Sequence, residues 1–286
     1  MNWRPELVLD TAMPADHRAL DGREFAVVKD GLTFACQFNA TEGANRLVVI
    51  PESWVDRSKE APPRFHRWNW GPRMASHVLS VNDPTLFLDD EIVTGCFLGD
   101  RERDPIVGLV EIAAWFAASM GLSDSRTIFY GASAGGFAAI RAAASAAHGR
   151  AISVNAMMDI ACHDNRHLAA KLADVFGTGL SLGDIKELSP CRISAVAALQ
   201  TACAEGRNPR VLAVQNTRDS NCYRNHFLPM CQAFAIPAGG GVDPRDRALR
   251  ALPMAWEGGH GDGAEGIVEQ IFGAGLVWLL GSLTAA

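Results

Sequence analysis

Short, continuous apolar runs alternate along the chain with longer segments of helical periodicity. Leu47-Val48-Val49-Ile50, closed by Pro51, and Val78-Leu79-Ser80-Val81, closed by Asn82-Asp83-Pro84, have the length and composition of strands buried on both faces. Ala151 to Ala156 and Val211 to Gln215 repeat that pattern, and Leu252 to Trp256 reads as a last short strand. Near the start, Glu24 to Val28 and Leu32 to Phe38 flank Lys29-Asp30-Gly31, which predicts an antiparallel hairpin at one edge of the sheet. Helices fall between the strands. Asp104 supplies a cap, Pro105 the first turn, and Ile106, Leu109, Val110, Ala113, Phe116, Ala117 and Met120 an apolar face that Gly121 ends. Further helices are expected over Leu168 to Phe176, from Ser189-Pro190 through Cys203, from about Cys222 to Phe234, and from Ala264 to Leu280. This alternation predicts an α/β chain with a mostly parallel central sheet and helices on both faces, in one domain over 1–286, with 157–206 as a small helical cap insertion.

One stretch stands out within that pattern. Thr127-Ile128-Phe129-Tyr130 favours a strand, Gly131-Ala132-Ser133-Ala134-Gly135 follows, and an Ala-rich helical run begins at once. A serine at a sharp strand-to-helix corner, with small neighbours, has an exposed hydroxyl and lies beside the first amides of the helix, Ala134 among them. Those amides are suited to an oxyanion.

Composition narrows the remaining possibilities. The 286 residues are 48% hydrophobic and 20% charged, enough for one large α/β domain. A net charge of -6 without a basic block gives no electrostatic footprint for nucleic acid or for an acidic membrane surface. The seven cysteines are scattered and contain no Cys-x-x-Cys, which fits free thiols in a reducing compartment. With no apolar leader after Met1 and no run long enough to span a bilayer, the cytoplasm is the expected location.

In a parallel sheet, sites form at the carboxyl ends of the strands, and Ser133, Asp219 and His260 each follow a predicted strand at that end. A serine hydroxyl is a weak nucleophile at neutral pH, so a histidine must take its proton and a carboxylate must orient that histidine. The chain order Ser, Asp, His, the 131–136 elbow and the Gly258-Gly259-His260 loop together resemble an α/β-hydrolase of the serine esterase type. Asp83-Pro84-Thr85-Leu86, Tyr130 to Phe137, Val154-Asn155 with Asp159-Ile160, and Tyr223 to Phe227 are similar to hydrolase-like proteins of bacterial polysaccharide loci. Those in turn resemble the glycan O-acetyltransferase of accessory secretion systems. The resemblance implies acyl-ester chemistry on sugars.

Each candidate also has a plainer role. Asp219 is placed to cap the helix that follows it, with Asp243 as a substitute acid. His226 is a rival base or a substrate contact. The long 52–76 stretch brings Arg67 and Trp68, which either line a carbohydrate or anionic substrate site or pack the loop down. It lacks a His-Gly-Gly-Gly pattern, so the second oxyanion donor has no sequence assignment. His163 and His167 have helical spacing but no zincin glutamate, and neither a metal nor a cofactor is expected. The reading is a serine esterase or deacylase with a small-molecule or saccharide acyl ester as substrate. O-acyl transfer to a glycan and a non-catalytic binding or scaffold role are the alternatives.

Overall fold

The computed structural model describes residues 3–5, 7–9, 14, 16–162, 164–260 and 266–280. Its strands are β1 (Val8–Leu9), β2 (Arg23–Lys29), β3 (Leu32–Asn39), β4 (Leu47–Glu52), β5 (His77–Asn82), β6 (Thr127–Ala132), β7 (Arg150–Val154), β8 (Arg210–Asn216), β9 (Gly241–Val242) and β10 (Leu249–Met254). They form one ten-stranded sheet in the order β1-β2-β3-β5-β4-β6-β7-β8-β10-β9. Strand β3 runs antiparallel to β2 and β5, and β9 antiparallel to β10. The remaining pairings are parallel.

The continuous apolar runs become intelligible once both faces are covered. Leu47, Val49, Phe129, Ala151, Val211 and Ala213 face one core, against the helices Pro105–Ser119, Ser133–Ser145 and Ala195–Ala204. Their alternates Val48, Ile50, Ile128, Tyr130, Ile152, Val154, Leu212 and Val214 face a second core under the closing helix Ile267–Leu280. A pleated strand sends successive side chains to opposite faces, so a strand between two helix layers must be apolar throughout.

Several boundaries differ from the sequence expectation. Strand β4 continues through Pro51 to Glu52. The helix expected from Pro190 through Cys203 is two helices, Pro190–Ile193 and Ala195–Ala204. Ser194 between them is extended, bridges Asp159, and caps the second helix by accepting from the Ala197 amide. A helix-starting serine therefore stands where periodicity alone suggested continuity. The segment after Asp219 is likewise divided, with a π-helical turn at Tyr223–Phe227. The predicted hairpin is not the outermost element, because β1 adds to its free edge. Of the 157–206 interval, Met157, Cys162 and Asp164 line a cavity at the site, whereas Ala195–Ala204 packs within the core beside the helix that starts at Ser133. No helix among the described residues is long and apolar enough to cross a membrane.

Arg141 is a buried cation in this frame. Only 3% exposed, it donates to the carbonyls of Phe97 and Cys191 and to Asp104 Oδ2 at 2.7–2.9 Å. Removing it would strand three acceptors, one of them charged. Arg141→Met is expected to destabilise the fold by about 3–5 kcal/mol, seen as a lower urea midpoint at unchanged slope.

Candidate active site

Strand β6 ends at Ala132, and the next residue starts the Ser133–Ser145 helix in a left-handed conformation, φ 53° at Ser133. A non-glycine residue held there is strained, and the surroundings explain how it is held. A Cβ on Gly131 would lie 2.2 Å from the Gly135 carbonyl oxygen, and one on Gly135 would lie 2.5 Å from the Pro51 carbonyl oxygen. The turn and the end of β4 therefore close on each other with no room for side chains. Ser133 projects from this corner at the carboxyl end of the sheet, with Ala134 buried beside it.

His260 Nε2 lies 2.9 Å from Ser133 Oγ, and His260 Nδ1 lies 2.6 Å from Asp219 Oδ2. Asp219 follows β8 and its side chain is 7% exposed, while that of His260 is 52% exposed on a loop that includes Gly258 and Gly259 at positive φ. Asn216 ties the two together: its Nδ2 donates to the carbonyls of Trp256 and Gly259, and its backbone amide donates to Asn155 Oδ1. Capping and orienting turn out to be compatible uses of one carboxylate. Asp219 Oδ1 accepts from the Cys222 amide at 3.2 Å while Oδ2 faces the imidazole. Burial acts to raise the Asp219 pKa, but the hydrogen bonds from His260 and Cys222 outweigh it and hold the carboxyl below its ordinary value. The Cys222 thiol, 3.4 Å from His260 Nδ1, is pushed up to about 12, first by burial and then by the charge of Asp219.

Two cavities meet at the serine. The larger, about 400 Å³, is walled by Pro51 to Trp54, His66, Arg67, Thr94, Ala132 to Gly135 and His260. The smaller, about 200 Å³, reaches Met157, Cys162, Asp164, Asn221, Cys222 and His226. Arg67 lines the larger cleft and also packs: its guanidinium sits over Trp70 and lies 3.5 Å from the buried Glu52. Trp68 and Trp54 differ in where the chain places them. Trp68 is 44% exposed and lines neither cavity, whereas Trp54, 50% exposed, stands on the rim beside His66. His226 is buried and its Nδ1 accepts from the Met158 amide, so His260 is the imidazole that reaches Ser133. Asp243 is also buried and accepts from the amides of Arg245 and Asp246, closing its own turn. His167 is exposed and faces Glu91, and His163 lies outside the described residues.

Sequence periodicity carried no signal for Asn216, Trp54 or the support beneath the 52–54 wall. There Asp83 accepts from Ser53 Oγ and from the amides of Thr85 and Phe97, all within the core. A carboxylate two residues past a predicted strand was the available hint.

No family model matches the sequence, and no curated protein matches it. Solved structures do. The capsule O-acetyltransferase of Neisseria meningitidis serogroup A is similar with a TM-score of 0.59 at 13% identity, over 88% of this chain and 96% of that one. The glycosylation-associated Gap123 complex from Streptococcus agalactiae gives 0.59 at 15% identity over 90% of this chain, which spans 46% of the length of that one. MPT51 (FbpC1) of Mycobacterium tuberculosis gives 0.50 at 16% identity, over 87% and 92% of the two chains. Likeness at this identity establishes the fold, and the fold is that of the α/β-hydrolases.

The lowered pKa of Asp219 has a definite sign. Its contribution to stability is complete above the unfolded carboxylate value of about 3.9 and is lost as pH falls through the lower folded value. The melting-temperature gap between wild type and Asp219→Asn is expected to narrow as pH is lowered from about 6 to about 3, measured by scanning calorimetry.

Proposed function

We propose that this chain is a serine hydrolase that cleaves carboxylic esters through an acyl-serine intermediate. The observation that carries the reading is the hydrogen-bonded series Ser133 Oγ, His260 Nε2, His260 Nδ1, Asp219 Oδ2 on the strained elbow, open to a cleft. In the first step Ser133 Oγ attacks the ester carbonyl as its proton passes to His260 Nε2. Asp219 keeps the other imidazole proton on Nδ1 and stabilises the cation that forms. The tetrahedral oxyanion lies against the Ala134 amide at the start of the helix. His260 then returns the proton to the departing alkoxide. Water, activated by the same nitrogen, releases the acyl group.

A second reading sends the acyl group to a saccharide hydroxyl instead of water. It is favoured by Trp54 on the cleft rim, a flat apolar surface of the kind on which sugar rings stack, and by the neighbour described as a capsule O-acetyltransferase. The two readings share every step up to the acyl-enzyme.

Intact-mass analysis after fluorophosphonate treatment is expected to show one adduct on wild type and none on Ser133→Ala. Turnover of p-nitrophenyl acetate is expected to fall about 10³–10⁴-fold or more in His260→Ala and Asp219→Asn. Absence of the wild-type adduct would overturn the hydrolase reading in favour of a binding role. Trp54→Ala is expected to leave p-nitrophenyl acetate turnover within about threefold of wild type while raising KM for an acetylated oligosaccharide about tenfold, equivalent to about 1.4 kcal/mol. Steady-state kinetics on both substrates checks this.

A further inference from the structure

The orienting carboxylate of this site has a thiol as its neighbour. Cys222 Sγ lies 3.4 Å from His260 Nδ1, and one donor atom each from Asp219, Cys222 and His260 falls within 4.8 Å of the other two. A carboxylate, a thiol and an imidazole form a donor set that suits a borderline-soft divalent ion. Bonds of about 2.0–2.3 Å in tetrahedral geometry place such donors about 3.3–3.6 Å apart. The sulfur-to-nitrogen edge already meets that spacing, and the 2.6 Å edge between Asp219 and His260 has to open by less than about 1 Å. The imidazole can make that shift, because His260 is half exposed and the two residues before it are glycines at positive φ.

The surroundings also favour a cation. The smaller cavity leads to Cys222 and His260 past Asp164, and Asp164 and Asp219 both place negative charge at the thiol. The neighbouring Arg218 is paired with Glu257.

We propose that Asp219, Cys222 and His260 form a three-donor site for a thiophilic divalent cation of the zinc class, and that filling it switches Ser133 off. On binding, the metal forms bonds to Cys222 Sγ, His260 Nδ1 and an Asp219 oxygen, and the thiol proton leaves to solvent. The imidazole proton that stood on Nδ1 is carried on Nε2 instead. With Nε2 protonated, Ser133 Oγ faces a donor and has no base. The site stands on geometry alone; its inhibitory effect rests on the serine hydrolase reading.

The test uses the purified full chain and Co²⁺ as a spectroscopic probe, with Zn²⁺ as competitor. Wild type and Ser133→Ala are both expected to develop a thiolate-to-cobalt charge-transfer band that Zn²⁺ abolishes, and Cys222→Ser to lose it. Zn²⁺ is expected to inhibit p-nitrophenyl acetate turnover by wild type reversibly, with EDTA restoring it. The concentration for half inhibition, measured relative to each variant's own metal-free turnover, should rise at least tenfold in Cys222→Ser. Cys222→Ala provides the same comparison if the serine variant fails to fold. No band in wild type, or a band that persists without Cys222, would overturn the proposal. A band in a chain that neither turns over ester nor accepts fluorophosphonate would leave the metal site standing and sink the hydrolase reading instead.

Discussion

The corner at Ser133 is the constraint on which the rest depends. A left-handed serine can persist only where its neighbours leave no alternative, and here the clamp is backbone against backbone: the Gly135 carbonyl against Gly131, and the Pro51 carbonyl against Gly135. Three elements meet at that clamp, the end of β4, the end of β6 and the first turn of the Ser133–Ser145 helix. Because β4 and β6 are neighbours in a sheet buried on both faces, the core holds the clamp shut. The strain at one residue is offset by packing spread over the whole sheet.

From that corner the partners are positioned by a second, polar device. Asn155, Gln215 and Asn216 form a buried hydrogen-bonded group at the ends of β7 and β8, and Asn216 passes the alignment on to the loop that carries His260. Polar groups this deep are costly unless satisfied, and once satisfied they fix one arrangement. The exposed His260 is thereby held to a buried scaffold through the loop before it, without a rigid element of its own. That combination gives the imidazole a defined position and some freedom to move.

The walls of the cleft follow a different logic. Glu52 sits at the end of a core strand, Arg67 lies against it, and Arg67 also covers Trp70. Trp54, His66 and Thr94 line the same cleft.

The sequence by itself determined the alternation of strands and helices, the elbow, and the order of Ser133, Asp219 and His260, because these are local signals: burial on both strand faces, glycine at a tight corner, and residues placed just past a strand. Contacts between distant segments were decided only in the tertiary structure. Trp54 and Trp68 lie in the same irregular stretch and are alike as residues, yet the path of the chain brings one to the serine and leaves the other elsewhere. Ser194, which starts a new helix as its cap, also bridges Asp159, far away in sequence. Cys222 reads as an ordinary helical residue until the β8 turn and the glycine loop bring Asp219 and His260 to its side. Periodicity reports which face of an element is buried, whereas the neighbours of a side chain depend on how the elements pack, and that information is spread over the whole chain.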